Sequence, residues 1–155
     1  MLYKSKIVKM KNWIAGCMLF LLMMGCEQPE DYKKVREGVI KFHDVVMADH
    51  SHIIGNQLKL DTLKRNLASL KSRHPEIDTT ALKSEIGAIV QKLSRAEASM
   101  NNWMLKFEPD ASDKSNLEAV AYFNKEMRKI AEIDTVYRRE IKSSDAFLEK
   151  FKSDK

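Results

Sequence analysis

Residues 79–107, TTALKSEIGAIVQKLSRAEASMNNWMLKF, decide the fold of this chain. Apolar side chains recur there at alternating steps of four and three residues, at Leu82, Ile86, Ile89, Leu93, Ala96, Met100, Trp103 and Phe107. This spacing places them on one face of a helix, as in a coiled coil. We expect Thr79 or Thr80 to cap the helix and Glu85 to favour its first turns electrostatically.

Two further segments carry similar apolar stripes, one before and one after this helix. The first stripe comprises Val35, Val39, Phe42, Val46, Ile53, Leu60, Leu63, Leu67 and Leu70, and the last comprises Val120, Phe123, Met127, Ile130, Tyr137, Ile141, Leu148 and Phe151. Polar residues interrupt both stripes, Asp49 and Asn56 in the first and Asp134 and Ser144 in the last. We expect Gly55 to kink the first helix and Asp113 or Ser115 to cap the last.

The prolines separate the three segments. Pro29, Pro75 and Pro109 mark helix breaks, because proline inside a helix costs roughly 3 kcal/mol. The predicted helices cover about 32–72, 80–107 and 115–152, and no stretch alternates with the period of two that is typical of strands. The sequence therefore predicts an all-α fold, an elongated antiparallel three-helix bundle with coiled-coil-like packing. Unequal helix lengths predict that residues 31–41 overhang at one end.

The N-terminus has the parts of a secretory signal. Four lysines precede an apolar run over residues 13–25, which is too short to cross a bilayer. The run ends in Gly25-Cys26, which resembles a bacterial lipobox whose cysteine receives a diacylglycerol. We therefore predict a lipoprotein signal peptide over 1–25, a lipidated tether over 26–31 and a helical domain over 32–155, with lipidation at Cys26. Lipidation at Cys17 and an ordinary cleaved signal are the alternatives.

Removal of the signal changes what the composition implies. All 22 Asp and Glu follow residue 25 and four of the 27 Lys and Arg precede it, so the mature chain has 23 basic and 22 acidic residues. This balance argues against non-specific binding to nucleic acid, which requires a surplus of positive charge. With Cys17 removed and Cys26 lipidated, the domain has no thiol for a disulfide, a zinc site or a nucleophile.

Catalytic and metal-binding patterns are weak in this sequence. His43 and His50 lie seven residues apart, about 10.5 Å along a helix, which is too far for one metal ion. His50 and His52 point to opposite sides of the helix, and Asp49 with His52 lacks a third ligand. The chain has no phosphate-binding glycine loop and no nucleophile or zinc-protease motif. We therefore predict no enzyme, no cofactor and no metal site.

The densest apolar patch lies where the second predicted helix ends. The candidate interaction patch comprises His43, Met47, Trp103, Met104 and Phe107. A helical hairpin that turns at Pro75 places Phe42, His43 and Val46 at the height of Trp103 and Phe107. Two interpretations stay open: a capping layer of the core, or a surface that receives an apolar ligand or a partner helix.

Two sequence motifs resemble a family of small Bacteroidota lipoproteins that often carry the automatic label "viral A-type inclusion protein". They are His43-Asp44-Val45-Val46-Met47 in the first helix and Trp103-Met104-Leu105-Lys106-Phe107-Glu108-Pro109 at the end of the second. The chain departs from the family after Met47, where Ala48-Asp49-His50 replaces the usual Pro-Lys-Met. The resemblance implies an envelope lipoprotein with no established catalytic residue.

These features together predict the class of protein. We expect a lipid-anchored cell-envelope protein, placed at the outer membrane, that acts by binding or scaffolding through helical surfaces. Its predicted contacts are the membrane, through the N-terminal lipid, and a protein partner or further copies of the chain, but not nucleic acid. A periplasmic chaperone or envelope-stress sensor is one alternative function, and a small-ligand or metal carrier is another.

Overall fold

The computed structural model describes residues 30–152, and this part of the chain is all-α. The helices are α1 (Tyr32–Arg65), α2 (Leu67–Arg73), α3 (Thr79–Lys106) and α4 (Asn116–Glu149). No strand occurs in residues 30–152. The all-α fold class predicted from the helical spacing is thus confirmed for the described chain.

The helix starts are set by side chains that accept hydrogen bonds from otherwise unpaired backbone N–H groups. Asp78, and neither Thr79 nor Thr80, caps α3, because its Oδ1 accepts from the N–H groups of Thr80 at 2.9 Å and Ala81 at 3.0 Å. Ser115 caps α4 in a capping box with Glu118. The prediction of a threonine cap for α3 was therefore wrong by one position.

The first helical segment is interrupted at Asn66, not at Gly55. Gly55 lies inside α1, where its neighbours in the helix include the fully buried Ile53 and Asn56. At Asn66 the backbone leaves helical geometry, with φ −94° and ψ 9°. The N–H of Asn66 donates to the carbonyls of both Thr62 and Leu63. Glycine has a lower helix propensity than asparagine, so propensity does not explain where the break falls. The buried Ile53 and Asn56 on either side of Gly55 support a continuous α1 at that point.

Helices α1 and α4 run in the same direction and begin at the same height. The backbone N–H of Tyr32 donates to Asn116 Oδ1 at 3.1 Å, and further along Asn56 Nδ2 donates to Ser144 Oγ at 2.8 Å. The start of α4 therefore covers the start of α1. The predicted overhang of residues 31–41 is wrong, because that stretch packs against α4 and buries Val35 and Val39.

Helix α3 runs opposite to α1 and α4. Gln57 Nε2 of α1 donates to Glu97 Oε2 of α3 at 3.1 Å, and the earlier residue His43 lies against the later residue Trp103. The apolar core between the helices includes Val39, Val46, Ile53, Leu60, Ile86, Leu93, Met100, Phe123, Ile130 and Tyr137, all of which are buried.

The buried face of α4 differs from the predicted stripe by about one residue. Its most buried positions are Ala119, Phe123, Glu126, Ile130, Tyr137, Glu140, Ser144 and Phe147. Val120, Met127, Ile141 and Leu148, which the sequence places on the stripe, are half-buried flanks. The difference arises because Glu126 and Ser144 find hydrogen-bond partners on α3 and α1, and burial of a polar group is tolerated when it is so paired.

The N-terminal predictions lie outside the described residues. They are the signal peptide over 1–25 and the lipidation of Cys26. Among the helices of residues 30–152, none combines the length and the apolar character that crossing a bilayer requires.

Candidate functional site

The aromatic rings of the two sequence motifs form one stack between α1 and α3. The imidazole of His43 stacks on the indole of Trp103, with ring centroids 5.9 Å apart and planes inclined by 27°. Trp103 stacks in turn on Phe107 at 4.7 Å and 19°. The motifs therefore meet in space, as the hairpin arrangement predicts.

Trp103 is held in place by a buried polar contact. Its side chain is only 6% exposed, and its Nε1–H donates to Glu126 Oε2 of α4 at 2.9 Å. Lys129 pairs with the other carboxylate oxygen of Glu126 at 2.6 Å. A buried indole N–H needs an acceptor, so Glu126 fixes the ring and Lys129 balances the carboxylate charge. Glu126 was not predicted to be buried, although its spacing from Phe123 and Ile130 places it on the core face.

The remaining members of the candidate interaction patch form a half-exposed rim around Trp103. Met47, Met104 and Phe107 are half-buried, and 28% of the His43 side chain is exposed. His43 Nδ1 lies 3.0 Å from Asp44 Oδ1 at the solvent side. Thioethers and aromatic rings in such a rim adapt their shape to an apolar partner.

Ile40 extends this rim and was not singled out from the sequence. It lies three residues before His43 and seven before Met47, so the three side chains share one face of α1. Its side chain is 40% exposed, which is unusual beside a buried core. The helical spacing alone could have identified it, because Ile40 lies next to the apolar stripe of α1.

The inner edge of the patch is continuous with the core. Phe107 meets Phe123 of α4 edge-on, with ring centroids 6.2 Å apart, and Phe123 stacks on Tyr32 at 6.3 Å. The backbone N–H of Glu108 donates to the hydroxyl of Tyr122 at 2.8 Å, which holds the turn after α3 against α4. The patch therefore rests on a packed aromatic layer to which all three long helices contribute.

The three histidines of α1 have separate partners. His43 lies beside Asp44, His50 Nδ1 lies 2.9 Å from the hydroxyl of Tyr137, and His52 Nε2 lies 3.5 Å from Asp145 Oδ1. In the part of the chain that the structure describes, no three His, Cys, Asp or Glu side chains converge as metal ligands. His43 thus contacts a residue of its own helix, whereas His50 and His52 connect α1 to α4.

Buried polar residues also join α1 to α4 away from the patch. The fully buried Asn56 donates to Ser144 Oγ at 2.8 Å and to Asp145 Oδ1 at 2.7 Å, and its Oδ1 accepts from Lys59 at 3.3 Å. Arg138 pairs with Asp134 at 2.8 Å, and this contact raises the pKa of the guanidinium, with a smaller contribution from Asp49. Asn56 and Ser144, which interrupt the two stripes, therefore face one another.

Comparison with models of protein families, with curated proteins and with solved structures finds no match for this chain.

Proposed function

We propose that this chain is a lipid-anchored cell-envelope protein that binds a partner protein through the candidate interaction patch. The observation that carries the proposal is the half-exposed rim of His43, Met47, Met104 and Phe107 around a buried tryptophan. Aromatic residues and methionine are enriched in the centres of protein interfaces, and rigid aromatic anchors lose little entropy on binding. A partner helix with an apolar face fits a rim that lies between two helices.

The proposed scaffold is an elongated antiparallel three-helix bundle with coiled-coil-like packing. The parallel contacts between α1 and α4 and the reversed direction of α3 support this arrangement. Helix α1 has 34 residues and is thus about 50 Å long, so the domain presents long lateral surfaces instead of a deep central cavity. Such surfaces suit binding or scaffolding.

The proposed anchor places the patch near a membrane. The basic start, the apolar run and Cys26 support export and lipidation, with the outer membrane as the proposed location. The tether over 26–31 has six residues and reaches at most about 20 Å when extended. His43 lies eleven residues into α1, about 17 Å along the helix axis from Tyr32. A bound partner would therefore lie within a few nanometres of the bilayer.

Site-specific photo-crosslinking in living cells tests the binding patch. A photoreactive residue at Met104 should capture one defined protein, whereas the same residue at Lys83, on the exposed face of α3, should not. The double variant His43→Ala, Met104→Ala should lose this partner and should destabilise the fold by less than the 2–5 kcal/mol of a buried methionine deletion, because both side chains are only half-buried. Leu105→Ala, at a side chain 87% exposed beside Met104, is the matched control.

The outcomes separate a binding site from a capping layer of the core. Loss of the partner with a nearly unchanged unfolding midpoint supports the site. A large loss of stability, or capture that is equally strong from Met104 and Lys83, contradicts it.

Metabolic labelling tests the anchor independently of the partner. Labelled palmitate should appear on the wild-type protein and vanish in Cys26→Ser, because only a modified thiol carries the diacylglycerol. Two or more acyl chains are needed for stable attachment, so the same variant should leave the membrane fraction. Label that persists in Cys26→Ser and is lost in Cys17→Ser would move the site to Cys17.

A further inference from the structure

A second concave surface lies at the end of the molecule that is remote from the candidate interaction patch. The end of α1, the short helix α2 and the last turns of α4 enclose a groove of ≈ 740 Å³. Ligand pockets in proteins typically measure about 300–1,000 Å³, so the groove has the size of a small-molecule site. Its apolar lining comprises Leu58, Leu63, Leu70, Leu148 and Phe151.

The groove lies beside the break between α1 and α2. Helix α1 ends at Arg65, and α2 continues as seven residues that bury Leu67 and Leu70 in the core. Phe147 of α4 is buried as well, whereas Leu58 remains 62% exposed on the wall of the groove. An exposed leucine beside a concave apolar surface is a contact point for an apolar ligand.

The lining of the groove has one more basic side chain than acidic ones. The basic side chains are Lys59, Arg73 and Lys152, and the acidic ones are Asp145 and Glu149. Lys59 and Arg73 belong to the side formed by α1 and α2. The ammonium of Lys59 contacts the amide oxygen of Asn56, a neutral acceptor, so this contact leaves its charge uncompensated. The groove can therefore attract an anion at the Lys59 position.

The two carboxylates that line the groove are already engaged. Asp145 accepts a hydrogen bond from Asn56 at 2.7 Å and lies beside His52, and Glu149 pairs with Lys152 within α4 and the turn that follows it. The ammonium of Lys152 balances the charge of Glu149, so of the two carboxylates Glu149 repels an anionic ligand only weakly. Apolar walls with a net basic rim are complementary to a molecule that has one apolar chain and one negative head.

We propose that this groove binds a fatty acid, with the hydrocarbon chain along the leucine and phenylalanine wall and the carboxylate at Lys59. The volume favours a single chain over a helix, because two turns of a helix 10–12 Å across occupy about 1,000 Å³. The proposal goes beyond the partner-binding function, since Leu58 lies about 39 Å along α1 from Tyr32 and the patch is near the opposite end.

Titration with fatty acids of increasing length tests the proposal. The protein is purified in the mature form that its own cells produce and is mixed with phosphatidylcholine vesicles. It is then titrated calorimetrically with octanoate, decanoate and laurate, and protein-free vesicles serve as the blank. The protein-free vesicles also measure how much fatty acid the lipid takes up. Relative to the remaining free fatty acid, each added methylene that is buried should strengthen binding roughly fourfold, since it contributes about 0.8 kcal/mol. The stoichiometry should be one fatty acid per chain.

Matched variants localise the site without disturbing the core. Leu58→Glu places a carboxylate on the groove wall and should abolish binding, whereas Leu105→Glu makes the same change at an exposed leucine outside the groove and should leave it intact. Lys59→Gln should weaken laurate binding about two- to fivefold, as expected for a partly exposed ion pair, and Lys83→Gln should not. Dodecanol, which has no carboxylate, should bind the wild-type protein more weakly than laurate by the same factor.

Several results would overturn the proposal. They are binding that is not saturable, binding that does not depend on chain length, and equal effects of Leu58→Glu and Leu105→Glu. Tighter binding of dodecyltrimethylammonium than of laurate would exclude an anionic ligand. A disulfide-linked dimer formed by Leu58→Cys would show that a second copy of the chain occupies the groove instead.

Discussion

Asn56→Ala should reduce the free energy of unfolding by about 2–4 kcal/mol, although residue 56 interrupts an apolar stripe. The amide of Asn56 is fully buried and donates to Ser144 Oγ at 2.8 Å and to Asp145 Oδ1 at 2.7 Å. A neutral buried hydrogen bond contributes about 1 kcal/mol, and one to a carboxylate about 1.5–3 kcal/mol. Because Asp145 is part-exposed, its hydrogen bond to Asn56 should contribute an energy at the lower end of the range for carboxylates. The cavity that alanine leaves adds a small further loss.

Denaturation by urea, followed by circular dichroism on a chain that begins at Glu27, measures this loss. That chain keeps every residue of the described core. Lys64→Ala, at an exposed position of the same helix, is the control and should stay within about 0.5 kcal/mol. Asn56→Leu should cost less than Asn56→Ala, because leucine fills the space and Ser144 keeps its bonds to the carbonyls of Glu140 and Ile141. If Asn56→Ala costs no more than Lys64→Ala, the reasoning from buried amide bonds is refuted.

Two further predictions concern the core. Leu93→Ala should cost about 2–5 kcal/mol because Leu93 is fully buried, and Lys92→Ala, one position away and exposed, should change stability by less than about 0.5 kcal/mol, both measured by urea denaturation. Burial, with a smaller contribution from the Glu97 carboxylate, raises the pKa of Tyr137 to about 12 from 10.0. Between these values the unfolded chain loses the phenolic proton first, so the stability advantage of the wild type over Tyr137→Phe should fall from pH 10 to pH 12. An advantage that is constant over this range would contradict the burial argument.

The sequence predicted the positions of the helices more accurately than it predicted which of their residues are buried. Proline positions and turn residues placed the start of α1 and both ends of α3 and α4 within three residues, because helix termination is a local property of the chain. The break at Asn66 was not predicted, so the first helix ends at Arg65 and not at about 72. The stripe of α3 was also predicted well, since Leu82, Ile86, Leu93 and Met100 are apolar and buried. Local spacing suffices where every core position is apolar.

Helical spacing alone could not predict which residues of α4 are buried. Glu126 and Ser144 occupy buried positions, yet an isolated stripe assigns polar residues to the solvent side. Their burial depends on Trp103 and Asn56, which belong to other helices and lie 23 and 88 residues away in sequence. The same limit applies to the groove, whose shape depends on the break at Asn66 and on where α4 ends.

The buried polar pairs explain why the patch and the groove occupy fixed places on the molecule. Apolar stripes can slide by one heptad, about 10.5 Å, and still meet apolar stripes, so they specify the height of one helix against another weakly. A slip of seven residues between α1 and α4 would place Asn56 opposite Tyr137 or Phe151 and would remove the acceptor that Ser144 provides at present. The Trp103–Glu126 bond sets the height of α3 against α4 in the same manner. We therefore expect these two pairs to specify the register of the bundle, as single buried asparagines do in coiled coils.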